Sequence, residues 1–584
     1  MFKFPENPAA RAAVVALLTI PFFYLYLSAS PPAFNNNDSP ETITACYTLD
    51  IMHPPGYPLY AMAGRLFTFI PAGSAAFRVH IMSAFFAMLA LAVIFEISAG
   101  EPFALILLGL APVFMAQAAD AKGGIYTLNM LFLALVILLC QKMSREFRNK
   151  EMYLAAFILG LSLANHWPST VVIAPAVVLQ LFFNRKQITI RALSAAFFLF
   201  LTGLTPYIYL PIRAAANPEM NFGNPGTMEG FLWVVLRRGY IQPGTTTKII
   251  FMQLVRFLNV MAGSFSFFLL FAAAGIYHLR KQPRMLAVPA LIFLCNFFAV
   301  VFFNTSMPEN IGLADIFLMP SLLVTALFVS YGISASIKKL KGNTARTLAA
   351  SACAVMIFSG AVSYEKISCN RNYTAYDYGI NILETMEEGA LYIPEGDSNL
   401  YPLYYLRGVE KKRRDIIIMP VTDIAYKWFR GNMAEKYGRL YPDIFGEPDK
   451  NPADYIHAIV LSPEIRDKYR SYYNQKYASL FTFSGSREQK GVLIKFTGRP
   501  AVQPYCDFSI YSYRGIFDGP GFKPDGYNYY YDKMVSAWYA ASIFNQAMEL
   551  KRDGNGSAAG MLLAESMRFP QIDAALKSGL AGRY

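Results

Sequence analysis

Apolar runs of roughly 17 to 22 residues, each long enough to cross a hydrocarbon core about 30 Å thick, recur along the first 364 residues of this chain. They lie near 12–29, 77–97, 103–119, 125–141, 152–165, 169–184, 192–211, 251–278, 285–303, 316–336 and 347–364. Backbone polar groups find no water in that core, so each run must be helical to satisfy its own N–H and C=O groups. Composition points the same way: 55% of the 584 residues are hydrophobic and 16% charged, which a soluble chain of this length rarely tolerates. The expected fold is an α-helical polytopic membrane protein with about 11 transmembrane helices, a C-terminal soluble α/β domain and a terminal helical segment.

Loop charge gives an independent topology. With the N-terminus inside, the inner segments carry Lys3, Arg11, Lys142, Arg145, Arg148, Lys150, Arg185, Lys186, Arg191, Arg280, Lys281, Arg284, Lys338, Lys339, Lys341 and Arg346. The outer loops carry chiefly Arg65, Lys122, Arg213, Arg237, Arg238 and Lys248. This asymmetry follows the retention of Lys and Arg on the cytoplasmic side and leaves everything after Ser363 outside. It also accounts for the net charge of +13 without a nucleic-acid partner. The basic start, apolar stretch and Ser28-Ala29-Ser30 also fit a cleavable secretory signal, whose loss would leave the next loop on the same outer face. The location expected is a bacterial cytoplasmic membrane, with the C-terminal domain outside.

Six cysteines are dispersed at Cys46, Cys140, Cys295, Cys353, Cys369 and Cys506, with no C-x-x-C, so neither a zinc site nor a disulfide framework is indicated. Cys369 and Cys506 both lie beyond the last span on the outer side and could form one bridge. That domain, 365–500, reads as α/β: strands at Ala390–Ile393, Ile416–Met419 and Ala458–Leu461, a hairpin across Ser479–Phe496, and helices at Ile380–Met386 and Ala425–Tyr437. The segment 501–584 carries amphipathic helices at Tyr529–Leu550 and Ser557–Met567 around Asp553-Gly554-Asn555-Gly556.

The first outer loop, 30–74, is long and amphipathic where most membrane connectors are short. It holds Asp38, Glu41 and the hook His53-Pro54-Pro55-Gly56-Tyr57-Pro58. Topology puts Asp120, Lys122, His166, Arg213, Arg237, Arg238, Glu309 and Asp315 on or beside the same face, while helix interiors are nearly devoid of ionisable groups. Transporters and flippases for lipid-linked glycans, the alternative class, generally keep such groups near the midplane. Surface chemistry on a lipid-linked substrate is therefore favoured. A sugar on a polyprenyl phosphate fits, because its tail lies in the bilayer and its phosphate is a good leaving group. One carboxylate then suffices as base, with cations on the departing phosphate.

Asp38 is the expected base, with Glu41 and Asp120 as further catalytic carboxylates that hold the acceptor, orient the base or bind a divalent cation. His53, Arg65, Lys122, His166, Arg213, Arg237 and Arg238 are the candidate substrate and phosphate contacts. Competing structural readings stand beside these. Asn-Asp-Ser-Pro is turn chemistry, the Pro/Gly hook fixes a bend, and His166 suits a loop between two spans. Arg213 suits a snorkelling helix end, Arg237-Arg238 docks an interfacial helix over Met228–Leu236, and Glu395-Gly396-Asp397 reads as a capped turn after a strand.

Asp38-Ser39-Pro40-Glu41, His53-Pro54-Pro55-Gly56-Tyr57-Pro58-Leu59-Tyr60 with Gly64-Arg65, Tyr126-Thr127-Leu128-Asn129, Asn165-His166 and Tyr209-Leu210-Pro211-Ile212-Arg213 together resemble a family of polytopic membrane proteins. That family includes an animal endoplasmic-reticulum protein O-mannosyltransferase. The resemblance covers the membrane half and only loosely the outer domain. It implies a GT-C glycosyltransferase fold, a catalytic acid in the first outer loop, a polyprenyl-phosphate sugar donor (mannose among the candidates) and a protein or envelope-glycan hydroxyl as acceptor. Relatives usually show Gly-Glu after the first acid; here Ser39-Pro40-Glu41 displaces the second acid by one position. The outer domain is expected to select the acceptor.

Overall fold

The computed structural model describes residues 7–36, 38–239, 246–303, 314–340, 342–437, 452–462, 469–474, 486–497, 508–514, 516–517 and 529–577. Lys3, Glu309, Lys341, Cys506 and the 479–485 part of the expected hairpin lie outside them.

The first half is helical throughout: α1 (Pro8–Ala29), α2 (Ser39–Thr48), α3 (Pro58–Phe67), α4 (Ala75–Ile97), α5 (Phe103–Gly109), α6 (Pro112–Ala118), α7 (Gly124–Arg145), α8 (Asn149–Val171) and α9 (Ala174–Asn184). The second half of the membrane region continues with α10 (Ile190–Gly203), α11 (Tyr209–Ala214), α12 (Met228–Val235), α13 (Thr247–Phe265), α14 (Leu270–Leu279), α15 (Pro283–Phe303), α16 (Met319–Ile337) and α17 (Gly342–Ile367). Among the described residues, eight helical segments are long and apolar enough to cross a membrane, or nine if the α8–α9 pair, bent by 102°, counts as one.

All eleven apolar runs are thus helical, but five are not single straight helices: short 3-10 turns divide 192–211 between α10 and α11 and 251–278 between α13 and α14, and three others break as follows. The 103–119 run is divided between α5 and α6, because Pro112 cannot continue the preceding helix. The runs 152–165 and 169–184 fall in α8 and α9, with a non-helical residue inside α8 at His166. The helical φ/ψ of α8 is interrupted there (φ −151°, ψ 85°), so the two runs part as expected, and α9 bends away by 102° after Val171.

Close helix crossings hold this bundle together. A Cβ on Gly160 would collide with the Phe200 carbonyl, and one on Gly275 with the Phe328 carbonyl; small residues at such crossings let backbones approach where lipid gives no hydrophobic drive. The faces turned away from the bundle expose Phe182, Phe197, Phe198, Phe251, Leu258 and Phe303, as a lipid-facing surface requires.

After α17 the chain forms α18 (Thr374–Thr385), strand β1 (Leu391–Ile393), α19 (Asp397–Gly408) and β2 (Ile417–Ile418). Strands β3 (Ser471–Tyr473), β4 (Ser486–Lys490) and β5 (Leu493–Thr497) complete a sheet of order β2-β1-β3-β5-β4. β1 pairs parallel with β2 and β3, and β5 antiparallel with β3 and β4. The expected strand Ala458–Leu461 is instead the end of a helix, Pro452–Leu461. Its buried residues Tyr455, Ile456, Ile459 and Val460 follow helical spacing. The two expected C-terminal helices span Tyr529–Arg552 and Gly556–Met567 and pack on each other.

Within the first outer loop, α2 and α3 lie against α4, and α19 of the sheet domain packs on α2. That contact brings the outer domain onto the loop that carries Asp38.

Candidate functional site

Pro40 sits in the first turn of α2, where its missing N–H costs nothing. Asp38 occupies the N-cap position with φ −77° and ψ −2° and makes no side-chain cap bond. Its carboxylate turns from the helix into a cavity of about 270 Å³ that is also lined by His53, Tyr57, Asp120, Lys122, His166 and Arg237.

The hook aims its side chains by backbone geometry. Gly56 has φ +86°, and a Cβ there would press on Val234 and Leu210 at 3.0 and 3.1 Å, so this position demands glycine. Tyr57 follows at φ 44° as the N-cap residue of α3. Its ring then lies over the Lys122 ammonium, 4.3 Å from centroid to Nζ, and stacks at 5.9 Å on His166.

Asp38 Oδ2 lies 3.2 Å from Lys122 Nζ and 3.8 Å from His53 Nε2. Burial alone raises the Asp38 carboxyl, but the charges of Lys122 and His53 outweigh it and hold the group below its ordinary value. Glu41, fully buried, does not line the cavity. It stands directly behind His53, accepting the His53 backbone N–H at 2.7 Å and meeting Nδ1 at 2.6 Å. A carboxylate at Nδ1 fixes the ring so that Nε2 faces Asp38, Lys122 at 3.3 Å and the Tyr57 hydroxyl at 3.2 Å.

Asp120 reaches the cavity wall, but both its oxygens are engaged. They accept Asn35 Nδ2 at 2.9 Å, Ser39 Oγ at 2.7 and 2.8 Å, and the Lys122 backbone N–H at 3.0 Å. It clasps the loop before α7 to the start of α2, which places Lys122 opposite Asp38.

His166 lies in the kink of α8 at φ −151° and ψ 85°. Pro168 cannot donate to the carbonyl of Ala164, so the helix opens there, and the His166 carbonyl is recovered by Asn129 Nδ2 at 2.9 Å. The ring is held between Tyr57 and Phe317, nearly parallel to both.

Three candidate cations lie elsewhere. Arg213 donates from Nε to the Leu49 carbonyl at 2.6 Å and from an Nη to the Thr48 carbonyl at 3.3 Å. It therefore caps the negative end of α2 rather than facing a phosphate. Arg65 donates to the Tyr47 carbonyl and lies over the Phe69 ring at 4.7 Å. Arg238 is exposed and does not line the cavity, whereas its neighbour Arg237, at φ 56°, does. Asp315 pairs with Arg256, Nε to Oδ1 at 2.8 Å, outside the cavity lining.

The outer wall was not legible beforehand. Asp397 and Tyr401 of α19, together with Tyr531, close the cavity from the C-terminal domain. Asp397 is exposed to the cavity space. The protein around it displaces bulk water, and with the charges of Asp38 and Glu41 this pushes its carboxyl up to about 7. Gly396 at φ +73° just before it was the available signal: a glycine-requiring turn that aims the first residue of a helix.

A divalent cation does not fit these donors. The Asp38 oxygen facing the cavity is matched to an ammonium, and both Asp120 oxygens are taken. Among the described residues no group of three or more His, Cys, Asp or Glu is arranged to hold a metal.

This bundle, with a first-loop carboxylate and a cation-lined cavity under a C-terminal α/β domain, is that of a polytopic membrane protein with a GT-C-like fold. Residues 38–100 and 104–190 match the family model described as the protein O-mannosyl-transferase TMEM260 N-terminal domain. The chain is 26% identical over 490 residues to the protein O-mannosyl-transferase TMEM260 of Mus musculus, covering 77% of this chain and 66% of that one. With the protein O-mannosyl-transferase tmem260 of Dictyostelium discoideum it shares 24% identity over 490 residues, covering 73% and 59%. The chain therefore spans a little under two thirds of the length of these curated relatives. Among solved structures, ArnT from Cupriavidus metallidurans in the apo state aligns with TM-score 0.54 at 12% identity, over 84% of this chain and 98% of that one, a likeness of fold. The resemblance carried by the first-loop motifs thus holds. The sources of the two relatives lend no support to the bacterial cytoplasmic membrane expected from the sequence.

Proposed function

We propose that this protein transfers a sugar, mannose by analogy with its named relatives, from a polyprenyl phosphate to a protein hydroxyl at the outer membrane face. The observation that carries this reading is the shape and charge of one cavity. Lys122, His53 and Arg237 gather around Asp38, and two lining residues, Tyr126 and Ile316, also border a small apolar cleft with Met130, Leu133, Met319 and Pro320. A polar head beside an apolar cleft suits a phosphate whose chain runs into the bilayer.

In this reaction the acceptor oxygen attacks the anomeric carbon, the bond from that carbon to the phosphate oxygen breaks, and polyprenyl phosphate departs. Asp38 takes the hydroxyl proton. Its ion pair with Lys122 keeps it ionised before substrate arrives; the donor phosphate then competes for Lys122, and the carboxylate so released becomes more basic. Lys122 and Arg237 neutralise charge on the leaving phosphate, and Glu41 keeps the His53 ring directed at it. No step needs a metal.

The test supplies radiolabelled polyprenyl-phosphate mannose, with dolichyl and undecaprenyl chains compared, and a Ser/Thr-rich peptide to membranes containing the full chain. Label should enter the peptide. No binding and no transfer with either donor would defeat this function.

A further inference from the structure

The cavity walls differ in chemistry. The membrane wall supplies Lys122, His53 and Arg237, and its carboxylate Asp38 is already matched to Lys122 at 3.2 Å. The outer wall supplies Asp397 and Tyr401. Among the described residues Asp397 meets no cation within ion-pair range; Tyr401, one turn on along α19, lines the cavity beside it, and the charge of His53 acts on it from the membrane wall. It is exposed while its helical neighbours Ser398, Asn399 and Leu400 are buried, so its carboxyl is presented to the cavity rather than used in packing.

Ionised, the Asp397 carboxyl repels a phosphate, whereas in either protonation state it can accept a hydrogen bond from a hydroxyl. The outer wall is also the side from which a polypeptide can approach without crossing lipid. Beyond Asp397, Asp423 borders a second cavity, of about 50 Å³, with Tyr404, Trp428, Phe429 and Lys436. Mixed aromatic and charged walls of that kind suit the side chains flanking an acceptor residue.

Resting on the function proposed above, we infer that Asp397 is the outer domain's acceptor-binding group: its carboxyl holds the incoming hydroxyl-bearing residue against Asp38, while the membrane wall holds the donor. The outer domain then completes the active site.

The test uses the full-length protein in detergent or nanodiscs, with the polyprenyl-phosphate mannose active in the wild type and the Ser/Thr-rich peptide. Asp397→Asn should raise the peptide KM about ten-fold or more, with donor affinity within about two-fold of wild type. Tyr401→Phe, which keeps every charge, should shift KM in the same direction by less. Unchanged peptide KM in Asp397→Asn, or equal loss of donor and peptide binding, would overturn the inference. If Asp397→Asn does not fold, Tyr401→Phe decides: unchanged KM counts against the assignment. Failure of the wild type to use either donor would instead defeat the underlying function.

Discussion

Lys122 Nζ lies 3.2 Å from Asp38 Oδ2, so the carboxylate proposed as base is also the counter-ion of the cation proposed to receive phosphate. Each group preserves the other's charge in a largely enclosed site; in the proposed reaction the donor phosphate exchanges one partner for another, and substrate binding and activation of the base become one event.

Replacing Lys122 with Met removes this exchange. Donor affinity should fall about 10- to 100-fold, the scale of a charge-assisted hydrogen bond in a partly buried site. The Asp38 carboxyl, freed of a cation that lowers it, should rise. Because Asp38 must be ionised to accept the proton, the acid limb of the pH–rate profile should move to higher pH. Donor titration and a rate profile check both.

Glu41→Gln keeps the shape behind His53 but replaces an acceptor-only group with one that can also donate. The ring loses its fixed orientation. Transfer should fall about ten-fold or more, and thermal stability should fall because a fully buried hydrogen-bonded pair is weakened. Steady-state rates with a melting curve on the same preparation test it.

The two arginines that sequence placed together separate cleanly. Arg213→Ala should cost about 1 kcal/mol of stability by uncapping α2, leaving donor affinity near wild type in the folded fraction. Arg237→Ala should weaken donor binding about ten-fold with little change in melting temperature. Equal effects on both properties in both variants would contradict this division.

Most of the fold could be read from the chain because bilayer-spanning length is a local property. The readings that failed needed more than local information. Arg213 as a phosphate contact and Arg213 as a helix cap have the same sequence signature, a cation at an outer helix end. His166 followed by Trp167-Pro168 signals a loop or a kink equally well. Ala458–Leu461 is too short for apolar content to distinguish strand from helix, and only the buried Tyr455 and Ile456 upstream reveal the period. Asp38, His53 and Lys122 were legible because the hydropathy pattern puts their loops on one face. Asp397 was not, since nothing in its neighbourhood announces that α19 packs on α2.

Stability should depend on pH through two buried acids, Asp423 in the outer domain and Asp532 in the C-terminal helix Tyr529–Arg552. Burial first, aided at Asp423 by the charge of Asp397, raises each to about 7. An unfolded aspartate titrates near 3.9, so between about pH 4 and 7 the folded protein binds protons that the unfolded chain has lost. Folding is therefore favoured at the acidic end of that window, and the advantage fades as pH rises through about 7. Melting temperature should fall from pH 5 to pH 8, and Asp532→Asn should flatten the curve. A melting temperature that rises across that interval, or an unaltered curve in the variant, would contradict the assignment.

The most direct test is Asp38→Asn, which keeps size and polarity while abolishing the base. With radiolabelled polyprenyl-phosphate mannose and the acceptor peptide, transfer should fall about 100-fold or more while the donor still binds. Transfer at the wild-type rate would show that Asp38 is not the base and contradict the proposed chemistry.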